Sequence, residues 1–97
     1  MSEKTIPFDA AAILDDAESQ AELIADALES GDATYIATAL GVVARARGMS
    51  EVARESGVTR AALYKALGPH GDPKLTTLVG VLKSLGLKLA VKPGHAG

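Results

Sequence analysis

The sequence predicts an all-α protein: a compact bundle of five to six short helices closed by one short C-terminal strand. Three observations carry this expectation. The chain has 97 residues, fewer than the ~150 of a typical domain, so it forms one domain with one small core. It is 47% apolar but has only three aromatic residues, Phe8, Tyr35 and Tyr64, so that core is aliphatic and alanine-rich, which suits close helix packing. Apolar residues recur three and four apart, in segments punctuated by glycine at 31, 48, 57, 68 and 86.

The elements follow in order. Residues 1–8 form a loose lead-in, where Pro7 disfavours helix at Ile6. Residues 9–31 form an acidic N-terminal region: Asp9 caps a short helix over 10–14, and Asp15 or Asp16 caps a longer one ending near Ser30, before Gly31. Ala17, Ala21, Ile24 and Leu28 make its apolar stripe, and Glu18, Glu22, Asp26 and Glu29 fall on the other side. Asp32 caps a helix over 33–47 whose core face is Ile36, Ala39, Leu40 and Val43. Gly41 costs that helix roughly 1 kcal/mol against alanine and admits a close neighbour. Two short helices follow, over 50–56 and 59–67, capped by Ser50 and Thr59 and broken at Gly57. The loop 68–73, GPHGDP, precedes a helix over 74–85 with Leu75, Leu78, Val79, Leu82 and Leu85 on one face. Residues 87–92 alternate, with Leu87, Leu89 and Val91 on one side, as in a strand; 93–97 are a tail. A lone strand cannot satisfy its backbone, so these three residues are the candidate dimer contact, or else they pair with another protein's edge.

Charge is distributed unevenly. The net charge is −2, but residues 1–32 carry nine acids and one base, whereas residues 33–97 carry nine bases and three acids. Such asymmetry predicts two surfaces with different partners. Several function classes drop out. Without cysteine there is no disulfide or thiolate metal site, and His70 and His95 lack ligand spacing, so no metal or cofactor is expected. No apolar run reaches the ~18 residues of a membrane span, and MSEKTIPFD lacks a signal core, so the expected compartment is the cytoplasm. No nucleophile motif accompanies the carboxylates, so catalysis is not expected.

Residues 49–67, MSEVARESGVTRAALYKAL, fit a helix-turn-helix. Ala53 supplies the small residue where two helices cross, and Gly57 makes the turn. Val52, Val58 and Leu63 pin the second helix to the body, with Ala62 and Ala66 partly core-facing. Ser56 stands where an apolar residue is common. The second helix then offers Arg60, Ala61, Tyr64 and Lys65 to the major groove. Arg60 suits bidentate recognition of guanine, Tyr64 a base edge or phosphate, and Lys65 a phosphate. Thr59 exposes backbone N–H groups at the helix start, and Lys74 flanks the site. Arg45, Arg47 and Arg54 add positive charge on faces that spacing leaves open.

The chain resembles the HigA-like addiction module antidote proteins of bacterial toxin–antitoxin modules. The resemblance covers nearly the whole chain and rests on the acidic helix DDAESQAELIADALESGD followed by the runs ARARGMS, LYKALGPHG and LKSLGLKLAV. It implies a helical bundle of the repressor-like helix-turn-helix type with a C-terminal strand. It further implies neutralisation of a basic RelE/ParE-like toxin, often an mRNA-cleaving ribonuclease, and repression of its own operon by a homodimer on an inverted repeat. Ala61 stands where that family more often has a polar residue. On this view Glu18, Glu22, Asp26 and Glu29 form the toxin-binding face. The competing expectations are a stand-alone regulator of prophage type without a toxin, and an interaction module that no longer binds DNA.

Overall fold

The structure is a computed structural model that describes residues 16–94. The expected lead-in, the helix over 10–14 and the last three residues of the tail, with His95, lie outside the described residues. Five helices are present among those described: α1 (Ala17–Ser30), α2 (Ala33–Arg47), α3 (Met49–Ser56), α4 (Arg60–Ala66) and α5 (Leu75–Ser84).

Local chemistry sets their ends. Asp16 caps α1 by accepting from the Glu18 N–H at 2.9 Å and the Ser19 hydroxyl at 2.8 Å. These bonds, the Ser19 hydroxyl first, hold its carboxyl below the usual aspartate range, so the cap persists at neutral pH and is lost only in acid. Gly31, at φ 71°, takes the left-handed turn that ends α1. Asp32 then caps α2 by accepting from the Thr34 N–H at 2.9 Å. Gly48 closes α2 at φ 113° and directly opens α3. The expected Ser50 cap is therefore corrected: α3 starts at Met49, and Ser50 lies inside it. Met49 is 5% exposed, and its burial accounts for the early start. Thr59 is the cap of α4, accepting from the Ala62 N–H at 3.0 Å.

The core gathers Leu23, Ile24 and Ala27 of α1, Leu40 and Val43 of α2, Val52 and Ala53 of α3, Leu63 of α4, and Val81 and Leu82 of α5. α3 is the central element, packing against α2, α4 and α5, while α1 covers α2.

Two apolar faces are turned from their expected positions. In α1 the buried residues are Gln20, Leu23, Ile24 and Ala27, whereas Ala17 is exposed and Ala21 and Leu28 are half-buried. At 100° per residue the buried face is turned by about 80°. Burying Leu23 removes more apolar area from water than burying Ala17, and the buried Gln20 Oε1 accepts from the Arg47 guanidinium at 3.4 Å. In α5, Val81 and Leu82 are buried, but Leu75 is 70% and Val79 39% exposed. A Cβ on Gly80 would lie 3.2 Å from the Ser56 Cα, so α3 crosses α5 at this glycine and draws the adjacent Val81 inward.

The same crossing leaves the Ser56 hydroxyl buried without a hydrogen-bond partner. Ser56→Ala should therefore stabilise the fold by about 1 kcal/mol, by removing an orphaned polar group and favouring helix. Thermal unfolding should shift upward by about 4–8 °C for a domain of this size. A lower midpoint would show that the hydroxyl contributes a bond.

The expected strand over 87–92 is also corrected: no strand occurs among the described residues, and 87–94 run without regular structure. The physical reason is the one that made a lone strand unstable, since no neighbouring edge accepts its ladder. Instead the Leu87 N–H donates to the Leu82 carbonyl at 2.8 Å, and Leu87 packs on the core. Leu89 and Val91 are exposed, and the Lys92 ammonium lies 3.4 Å from Glu29.

Candidate nucleic-acid interface and acidic face

α4 is short, seven residues, and is attached to the body chiefly through Leu63, which is fully buried. Val58 and Ala66 are half-buried beside it. Ala62, expected to face the core in part, is instead exposed, because a helix of two turns fixed at one central leucine leaves its flanks in water. Thr59, Arg60, Ala61, Tyr64 and Lys65 are all exposed, so the helix presents the whole expected set outward.

The set divides into two groups. Arg60 and Tyr64 lie one turn apart; the guanidinium sits 5.2 Å from the ring centroid and its Nη2 donates to the phenol oxygen at 3.4 Å. Arg45, from the last turn of α2, lies 5.7 Å from the same ring. Spacing alone left the side of Arg45 open, because it cannot show which end of α2 meets α4. Gly41 explains how Arg45 arrives. A Cβ there would lie 2.9 Å from the Leu67 carbonyl oxygen and 3.1 Å from Arg45 Nη1, so the glycine admits both the end of α4 and the arginine head.

The second group lines an open cleft of about 550 Å³ between α4 and the start of α5. Lys65 and Lys74 both line it, together with Ala62, His70 and Asp72. The loop between them is drawn in by Gly71, whose N–H donates to the Gly68 carbonyl at 3.0 Å. A Cβ at this position would collide with the Ala66 carbonyl. Lys74 caps α5 without a side-chain bond, leaving its ammonium exposed.

The other arginines separate by role. Arg47 joins α1 to the end of α5, reaching the Gln20 amide and, at 3.3 Å, the Leu85 carbonyl. It is part of the scaffold. Arg54 is exposed on α3, and its neighbour Glu55 accepts from the Ser84 hydroxyl at 2.7 Å.

On α1, Glu18, Glu22, Asp26 and Glu29 are all exposed. Two of them are engaged within the chain. Asp26 accepts from the Tyr35 hydroxyl at 2.6 Å, a bond that raises the phenol above its ordinary pKa, and Glu29 meets Lys92. The acidic face is thus engaged at the C-terminal end of α1 by both Tyr35 and Lys92, while Glu18 and Glu22 lie toward its start. Among the described residues no three histidines or carboxylates gather as a metal site, and no helix is long and apolar enough to cross a membrane.

These features define a small all-helical protein that displays cations from α2, α4 and α5 and carboxylates from α1. The chain belongs to the family described as probable addiction module antidote proteins, whose model matches residues 4–93. Membership implies a toxin partner. A protein of Haemophilus influenzae, named only as an uncharacterized protein, is 38% identical over 92 residues, which cover 95% of each chain. No solved structure matches the chain.

Proposed function

We propose that the protein is an antitoxin of the HigA-like type, which neutralises a basic RelE/ParE-like toxin and represses its own operon through α3 and α4. The pair acts as a helix-turn-helix, with α4 in the major groove of duplex DNA. One observation carries the DNA half of this reading: Leu63 is buried while Arg60, Tyr64 and Lys65 on the same short helix are exposed. Arg60 reads a base edge, Lys65 and Lys74 hold phosphates across the cleft they share, and Thr59 fixes the start of the helix. The reading includes no catalytic step and no cofactor. Two copies paired through Leu87, Leu89 and Val91 would present two recognition helices to an inverted repeat about 34 Å apart, one DNA turn. The exposed Leu89 and Val91, on a segment that Leu87 anchors to the core, support the pairing.

The test is binding of the full chain to its own promoter fragment. Arg60→Ala should cost about 1–3 kcal/mol and relax one base preference, while Lys65→Ala should weaken all sequences evenly and lower the salt slope by about one. Specific binding that survives both substitutions together would overturn the assignment of α4. Co-purification with the product of the adjacent gene tests the toxin half.

A further inference from the structure

We infer that Arg45, which lies outside the α3–α4 pair, is a DNA-backbone contact, and that Tyr64 is a positioning residue whose ring holds Arg45 and Arg60 together. The inference rests on the reading that α4 meets duplex DNA. Two guanidiniums lie 5.2 and 5.7 Å from one phenol ring. Sharing one ring keeps both cations on the same patch, and proteins ordinarily offset such a patch with a carboxylate. Here neither arginine has a carboxylate within ion-pair reach among the described residues. An aromatic face is the one common partner that attracts a guanidinium without cancelling its charge. Arg45 and Arg60 are thus oriented yet remain available to an anion.

The arrangement is also built at a cost. Gly41 sits in the middle of α2, where glycine weakens a helix, and the space it leaves is occupied by the Leu67 carbonyl and the Arg45 head. The ligand that suits the result is a phosphodiester beside a base edge: Arg60, on α4, faces the base, and Arg45, one helix removed, faces the phosphate. Tyr64 contributes its ring rather than its hydroxyl, because its single hydrogen bond to Arg60 is long, at 3.4 Å.

The experiment is fluorescence anisotropy of a labelled duplex of the protein's own promoter with the full chain, titrated at several salt concentrations. Arg45→Ala should weaken binding about five- to tenfold and lower the salt slope by about 0.9, the loss of one phosphate contact, with base preference unchanged. Tyr64→Phe should bind within about twofold of wild type, whereas Tyr64→Leu should lose at least as much as Arg45→Ala, with unchanged circular dichroism. Arg45→Ala added to Tyr64→Leu should cost little more, because the ring that placed Arg45 is already gone. An Arg45→Ala chain with wild-type affinity and slope, alongside a weakened Arg60→Ala chain, would overturn the inference and leave the role of α4 standing. A wild-type chain that shows no salt-dependent binding would overturn both.

Discussion

Truncating Leu63 to alanine should remove about 2–5 kcal/mol of folding stability, the range for emptying a fully buried leucine site. Leu63 has no exposed surface, and it is the only fully buried residue of α4. Half-buried Ala66 and Val58 cannot close the cavity by themselves. A domain of this size holds about 5–15 kcal/mol in total, so a single truncation takes a large share. Urea unfolding should show a lower midpoint with little change in slope, because the surface exposed on unfolding is nearly the same. DNA binding should fall further than the loss of stability alone accounts for, because Arg60, Tyr64 and Lys65 project from the helix that Leu63 anchors. A loss below about 1 kcal/mol would mean that α4 is held by contacts other than this leucine.

Reversing Glu18, Glu22 and Glu29 together to lysine should slow association with a basic toxin by about 10- to 1,000-fold at low salt, and much less at high salt. Asp26 is left in place because its bond to Tyr35 at 2.6 Å braces α1 against α2. Single reversals should do little, since an exposed ion pair is worth about 0–1 kcal/mol. None of the three residues is in the core, so circular dichroism should be unchanged. The variant should still repress its promoter but fail to protect cells from the toxin. Protection equal to wild type would show that the toxin docks elsewhere and that the acids serve solvation.

Helix ends were the most legible part of the fold. Asp16, Gly31, Asp32, Gly57 and Thr59 act on backbone groups within a few residues of themselves, so a short stretch of sequence contains the whole interaction. The faces of α1 and α5 were less legible, because rotation about a helix axis is settled by distant partners: Arg47 donating to Gln20, and Ser56 meeting Gly80. The outward residues of α4 could be read because one buried leucine in a two-turn helix leaves few alternatives. Arg45 could not, since its placement depends on how α2 and α4 lie against each other. Leu87–Val91 shows the limit of pattern reading, because alternation describes what a segment can pair with and not whether a mate is present.

Gly48 is the single residue between α2 and α3, the C-cap of one and the N-cap of the next. This junction therefore has no slack. Because Gly48 is not helical, a single inserted residue would lengthen the corner by up to about 3.6 Å and re-aim everything after it. That shift would carry Arg60 away from Arg45 and swing α3 off its seat on α5. The spacing from Arg45 to Arg60 is consequently fixed by residue count, as in a ruler. Tags, linkers and length variation should be tolerated at the exposed Gly31 turn, where two capped helices are joined by a separable corner, and rejected at Gly48.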